Sequence, residues 1–335
     1  MPRVAVIGCG DVSAIHFAAI VGIAEAELVA VCDTDPGRLA AAMDAYDAPG
    51  YTDYSEMFDS VRPDVVHICT PHAEHVDPAI AALERGINVV GEKPLASTLE
   101  DGDRLVAAAA ASSARMGVCF QNRYNVAVRV MADRISSGEF GSVVGGAATV
   151  MWHRTPEYYQ NRPWRGTWAG GGGGLLMNQA IHTLDLLQWM LGEVTGVSGH
   201  AATHSLADFI EVEDTAELVL THENGARSVL YATLANSLNA PITVSVEMEK
   251  AQLELRGDLT ITHSDGRVET IQERRAASGG RDYWGVSHEL LIADFYTQLG
   301  QDGPFWLDPA EAAKSLRIIK AVYAQSYPEK LAIIA

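Results

Sequence analysis

"VAVIGCGDVSAIH", residues 4–16, passes from an apolar run through two spaced glycines into a helical pattern. The run 3–8 has no polar alternation, as expected for a parallel strand buried on both faces. Gly8-Cys9-Gly10-Asp11-Val12-Ser13 follows. This is G-x-G-x-x-S, one residue short of the dinucleotide fingerprint. Gly8 suits a tight strand-to-helix turn. Gly10 lets the backbone approach a pyrophosphate, whose charge the helix N-terminus at Asp11, Val12 and Ser13 would hold. Ser13 is small enough for helix and strand to pack closely. Asp33 ends the next apolar run, 23 positions after Gly10. A carboxylate there takes hydrogen bonds from the adenosine ribose hydroxyls. A 2′-phosphate would meet Asp33 and Asp35 as like charges, with Arg38 the nearby cation. NAD is therefore favoured over NADP.

Outward from this stretch, strand and helix alternate. "ELVAVCD" (27–33), "DVVHICT" (64–70), "NVVGEK" (88–93) and "RMGVCFQ" (115–121) read as strands. Helical patterns cover 13–23, a stretch opened by Pro36, 73–86 and 98–114. Such alternation predicts α/β architecture, an N-terminal Rossmann doubly wound parallel sheet. The pattern then changes. After a helix near 126–138 come long alternating runs at 142–154, 215–235 and 243–271. Asn224-Gly225 and Asp265-Gly266 are hairpin turns within them. A helix at 175–191 interrupts the strands, and two more, 287–301 and 309–326, end the chain. The expectation is a domain over 1–121 and a C-terminal α+β domain over 122–335 with an open, mainly antiparallel sheet, its last helix free to pack back on the first domain.

A chain of 335 residues with 48% hydrophobic residues is long enough for about two domains. No apolar run reaches the ~18–20 residues of a membrane span. The formal charge of −19 disfavours nucleic acid, whose phosphates demand basic patches. Cys9, Cys32, Cys69 and Cys119 lack any zinc-type spacing and read as reduced interior thiols of a cytoplasmic protein. His72 and His75 form HxxH, but with no third ligand no metal is expected.

Ligands gather at the carboxyl ends of strands in such a sheet. Thr70, Pro71 and His75 follow one strand end, Glu92 and Lys93 another, and Gln121 a third. Pro94 restricts Lys93 to extended angles and removes an amide donor, so the strand stops there. A lysine at a strand end is commonly a snorkelling surface group. Beside a nicotinamide it becomes an acid/base candidate, pushed toward about 7–8 by desolvation and the cofactor's charge. In the second half, Asn178 and His182 are four apart on a helical pattern and share a face, with Asp185 at its border. They read either as a hydrogen-bonded core edge or as a proton-transfer histidine at a cleft. "QNRYN" (121–125) and "WHRTPEYYQNRPWRGTW" (152–168) mix aromatic faces with hydrogen-bonding groups, as a polyol site requires. The same composition also suits an oligomer contact.

Taken together, "GCGDVSAIH", "CTPHAEH", "LERGINVVGEKPLA", "QNRYN" and "GGGLLMNQAIHTLDLLQWMLG" resemble the Gfo/Idh/MocA oxidoreductases. The resemblance implies hydride transfer at a carbinol carbon of a sugar, cyclitol or glycoside. It also implies a homodimer or homotetramer through the C-terminal sheet. By motif position, Lys93 and His182 are the implied acid/base pair. Asn178 stands where inositol dehydrogenases carry an acid. Lys93 would then carry more of the proton transfer, or Asp185 would orient His182. Arg123, His153, Tyr158, Trp164 and Arg165, with Lys93, Asn178 and His182, are the expected substrate contacts. A nucleotide-linked sugar served by Arg154, Arg162 and Arg165 is one alternative. A dinucleotide-binding regulator without catalysis is another.

Overall fold

Six strands pair side by side and in parallel in the first half of the chain. They are β1 (Arg3–Ile7), β2 (Glu27–Cys32), β3 (Gly50–Tyr51), β4 (Val65–Ile68), β5 (Asn88–Gly91) and β6 (Met116–Val118). Their spatial order is β3-β2-β1-β4-β5-β6, so the winding reverses between β1 and β4. That reversal opens a crevice at the carboxyl ends of the strands. The apolar runs are the cause: Val4, Ala5, Val6, Val65, Val66, Val89 and Val90 are all fully buried, and helices cover both faces. The computed structural model describes residues 1–274 and 287–334.

Local signals set the helix starts. Asp35 accepts hydrogen bonds from the Gly37 and Arg38 amides, both at 2.9 Å, and Pro36 opens the helix Pro36–Tyr46. Thr98 caps Leu99–Ala111 through the Asp101 amide at 3.1 Å.

The second sheet has eight strands: β7 (Val143–Met151), β8 (Val194–Ala202), β9 (Thr215–His222), β10 (Arg227–Thr233), β11 (Thr243–Met248), β12 (Ala251–Arg256), β13 (Asp258–His263) and β14 (Val268–Ile271). Their order is β14-β13-β12-β11-β7-β10-β9-β8. Every pairing is antiparallel except β7 with β10. Burial alternates along β9, β10 and β12, so one face is packed and one is open. The helix Ile181–Leu191 packs on β7 and β11 with Leu184, Leu186 and Leu187 fully buried. Gly146 allows this approach, since a Cβ there would lie 3.0 Å from Leu191 Cδ2.

The division of the chain is not the contiguous one expected. The first compact unit holds Met1–Phe120 and takes back Ser287–Ala313; the second holds residues 121–274 and 314–334 of those described. The helix His288–Thr297 is therefore part of the dinucleotide-fold unit, where Phe295 and Phe305 approach Gly117 of β6. Among the described residues no helix is long and apolar enough to cross a membrane.

Candidate active site

The glycine turn meets the requirements of a dinucleotide. Gly8 has a φ of +89°, and a Cβ on it would lie 2.7 Å from the Cys69 carbonyl carbon and oxygen. Gly8 is thus demanded by the packing of β1 against the end of β4. A Cβ on Gly10, by contrast, would meet nothing within 4 Å. The helix Ser13–Gly22 begins there with no side-chain cap at Val12, leaving its first amides for an anion. Asp33 is fixed at the end of β2: Oδ2 accepts from Cys9 N at 2.7 Å and Oδ1 from Asp35 N at 2.8 Å. Its carboxylate has lone pairs left for ribose hydroxyls. Ser13 Oγ donates to Gly10 O at 2.7 Å.

Thr70 and Pro71 follow β4, and Thr70 Oγ1 donates to Glu74 O at 3.0 Å. His75 is occupied within the fold. It is buried, with Nδ1 2.8 Å from Pro94 O and Nε2 3.0 Å from Thr70 O. Burial lowers its pKa against the opposing pull of those two carbonyls. These contacts brace the loop that carries Lys93. Lys93 and Pro94 follow β5, joined by a cis peptide. All four cysteines are free, and burial raises Cys9 and Cys32 each to about 12. They remain thiols at neutral pH.

Glu92, expected at the cofactor, is buried beside two histidines. Oε1 lies 3.1 Å from His16 Nε2 and 3.2 Å from His288 Nε2. Burial alone would raise the carboxyl, but these two hydrogen bonds outweigh it and hold it well below the usual carboxylate range. The chain continues through His16 Nδ1 to His67 Nδ1 at 2.8 Å, and from His67 Nε2 to the Tyr296 hydroxyl at 2.8 Å. Burial pushes the His67 imidazole well below its ordinary pKa. His16, Glu92 and His288 present ligand atoms within 4.8 Å of one another. Each of these contacts is of hydrogen-bond length, so the set is satisfied as a carboxylate with two imidazole donors.

In the second unit, the stretch carrying Asn178 is a π-helical turn, Leu176–Ala180, leading into Ile181–Leu191. The π turn widens the backbone where Asn178 sits, and the α-helix that follows carries His182. Asn178 Nδ2 reaches the Tyr158 hydroxyl at 3.3 Å, and Gln179 Nε2 reaches the same oxygen at 3.1 Å. Two guanidinium groups approach the Tyr158 ring, Arg165 at 4.7 Å and Arg154 at 5.2 Å from its centroid. The Trp164 ring also lies near Arg165, at 5.5 Å. Tyr158, Trp164, Arg165 and Asn178 thus gather, with Gln179 added. His182 stands half-buried in the first helical turn after them.

The structure gives surroundings to three further expected residues, Arg123, His153 and Gln121. Arg123 forms a fork with Asp185, Nε to Oδ2 at 2.7 Å and Nη2 to Oδ1 at 2.6 Å, and both side chains are 1% exposed. A buried fork of this kind fixes both side chains against one another. His153 is exposed, its Nδ1 2.9 Å from Asn236 O. Gln121 is buried in the second unit. Sequence reasoning also missed Glu213, which is fully buried. Its Oε2 accepts from Gly174 N at 2.9 Å, and its Oε1 from Leu176 N at 2.8 Å and the Tyr323 hydroxyl at 2.6 Å. It anchors the start of the π turn.

Comparison with known proteins agrees with this geometry. Residues 2–120 match the family model described as an oxidoreductase family with an NAD-binding Rossmann fold. Residues 128–254 match the GFO/IDH/MocA C-terminal domain. The chain is 31% identical over 269 residues to a D-apiose dehydrogenase of Paraburkholderia graminis, covering 78% of this chain and 70% of that protein. It is 27% identical to the D-glucoside 3-dehydrogenase of Escherichia coli, covering 83% and 84%. The WlbA dehydrogenase of Bordetella pertussis, solved with NADH and UDP-GlcNAcA, superposes with a TM-score of 0.84 at 31% identity, covering 97% of this chain and 96% of that one. The first unit is an NAD-binding Rossmann domain, and the chain belongs to the Gfo/Idh/MocA family of oxidoreductases.

Proposed function

We propose that this chain is a dehydrogenase that moves a hydride between a carbinol carbon of a sugar, cyclitol or glycoside and NAD, with Lys93 and His182 as the acid/base groups. The observation that carries it is the edge shared by Lys93 and the open glycine turn. Lys93 follows β5 and Gly10 follows β1 at the carboxyl ends of one parallel sheet, where ligands of such sheets bind. Bound NAD supplies the hydride acceptor. Lys93 or His182 takes the hydroxyl proton as the carbinol C–H bond gives up its hydride, so charge and atoms balance. Asn178 cannot ionise, and its amide donates to Tyr158; it positions rather than titrates. A panel of sugars, inositols and glycosides with NAD, read at the nicotinamide absorbance, tests the reading. No reduction of NAD by any of them removes it and leaves a dinucleotide-binding regulator.

A nucleotide-linked sugar is the second reading. It is favoured by the cationic groups at Arg154 and Arg165 and by the likeness to WlbA over nearly the whole chain. UDP-linked sugars belong in the same panel. The open face of the second sheet, with Val229 and Tyr231 exposed, suits a second copy of this chain. Light scattering gives the oligomeric state.

A further inference from the structure

We propose that the substrate carries an anionic group, the carboxylate or phosphate of an acidic sugar, and that Arg154 binds it. The argument begins with a charge that lacks a counter-ion. Arg154 is 8% exposed. Its Nη1 donates to His153 O at 2.7 Å and to Asn239 Oδ1 at 2.9 Å. Its Nη2 is buried with no hydrogen-bond partner, and among the described residues no carboxylate pairs with it. The Trp152 and Tyr158 rings, at 5.3 Å and 5.2 Å, offer only cation–π contact. A buried guanidinium with an unused donor is costly unless an anion completes it. In a chain of net charge −19, leaving a buried cation unpaired is not forced by any shortage of carboxylates.

A second open group lies at the same tyrosine. Gln179 Oε1 is buried without a partner, while its Nε2 donates to the Tyr158 hydroxyl. Arg154 offers a charged donor and Gln179 an acceptor. An acidic sugar satisfies both, its anionic oxygen on Arg154 Nη2 and a hydroxyl on Gln179 Oε1. Arg165, 4.7 Å from the same ring, adds positive potential. Tyr158 ties this arrangement to Asn178 in the π turn. The inference deepens the dehydrogenase reading and rests on it only where turnover is concerned.

Calorimetry on the NADH-loaded protein tests it with D-glucuronate, D-glucuronamide, glucose 6-phosphate and myo-inositol. The acid or the phosphate is expected to bind about 10- to 100-fold more tightly than the amide, the range of a hydrogen bond to a charged group. Whichever of the two binds more tightly identifies the anionic group. Arg154→Gln is expected to close that gap, and rising salt to narrow it. If Arg154→Gln does not fold, the acid-to-amide ratio of the unaltered protein decides. Equal affinity for acid and amide, tighter binding of inositol than of either anion, or no binding by any of them overturns the proposal. An anion that binds, with no NAD reduced by any sugar of the panel, supports the site and removes the dehydrogenase reading. A neutral sugar oxidised with an acid-to-amide ratio of one does the reverse.

Discussion

Glu92 and His16 lie 3.1 Å apart, carboxylate to imidazole, directly behind the strand end that carries Lys93. With His288 on the same oxygen, the carboxylate is buried, charged and hydrogen-bonded on both sides. Glu92→Gln should cost about 3–5 kcal/mol by removing the charge these donors face. The pKa is depressed, so the sign is fixed. The contribution is present above the ordinary carboxylate value of about 4.3 and is lost as pH falls through the lower folded value. Denaturant unfolding between neutral and acid pH should show the difference between the two proteins shrinking toward acid.

The reading of the sequence reached the first sheet because its strands are apolar on both faces and end in glycine or charge. It missed β3, of two residues, and the helix Tyr54–Val61. It also missed β8, "VTGVSGHAA", where glycine and serine blur the alternation. Lys93, Asn178 and His182 stood out because local motifs carry them. The partners of Glu92 did not, since His16 and His288 are 76 and 196 residues away in sequence. Asp185 read as a companion of His182 on helical spacing. It also forms a fork with Arg123, 62 residues distant, and no local period reports such a pairing.

That pairing yields a second expectation. Arg123 also lies 4.9 Å from the Trp189 ring, so its guanidinium is held by fork and stack together. Lysine can reproduce neither. Arg123→Lys and Asp185→Asn should each destabilise the protein by about 3–5 kcal/mol. NAD affinity should stay close to normal, because the glycine turn and Asp33 lie in the other compact unit. Thermal unfolding and cofactor titration check the two halves; a large loss of NAD affinity at unchanged stability would contradict this account.

Glu213 supplies a pH dependence of opposite sign. Burial raises its carboxyl to about 7, against the hydrogen bonds from Tyr323, Leu176 and Gly174. Tyr159, Lys320, Tyr323 and Tyr327 are the ionisable groups that feel its charge. Folding favours the protonated form, so stability falls as pH rises from about 4.3 through about 7. Lys320, lowered by burial to about 8, acts above that window. Calorimetric unfolding from pH 5 to 7.5 should show a downward trend that Glu213→Gln flattens. An unchanged slope in the variant would remove Glu213 as its source.

The assignment of Lys93 gives the most direct test of the chemistry. General acid/base groups contribute about 10²–10⁴ to rate. Lys93→Ala should therefore lower kcat by about 10² or more on any substrate the panel identifies. Dissociation of NAD should change little, since Asp33 and the turn at Gly8 and Gly10 remain. His182→Gln should lose turnover in the same way, because the amide keeps hydrogen bonding but cannot carry a proton at neutral pH. The pair separates by pH. If Lys93 is the base in sugar oxidation, His182→Gln retains a rise of turnover with pH that Lys93→Ala lacks. Near-normal kcat in Lys93→Ala would sink its role and shift the proton to His182.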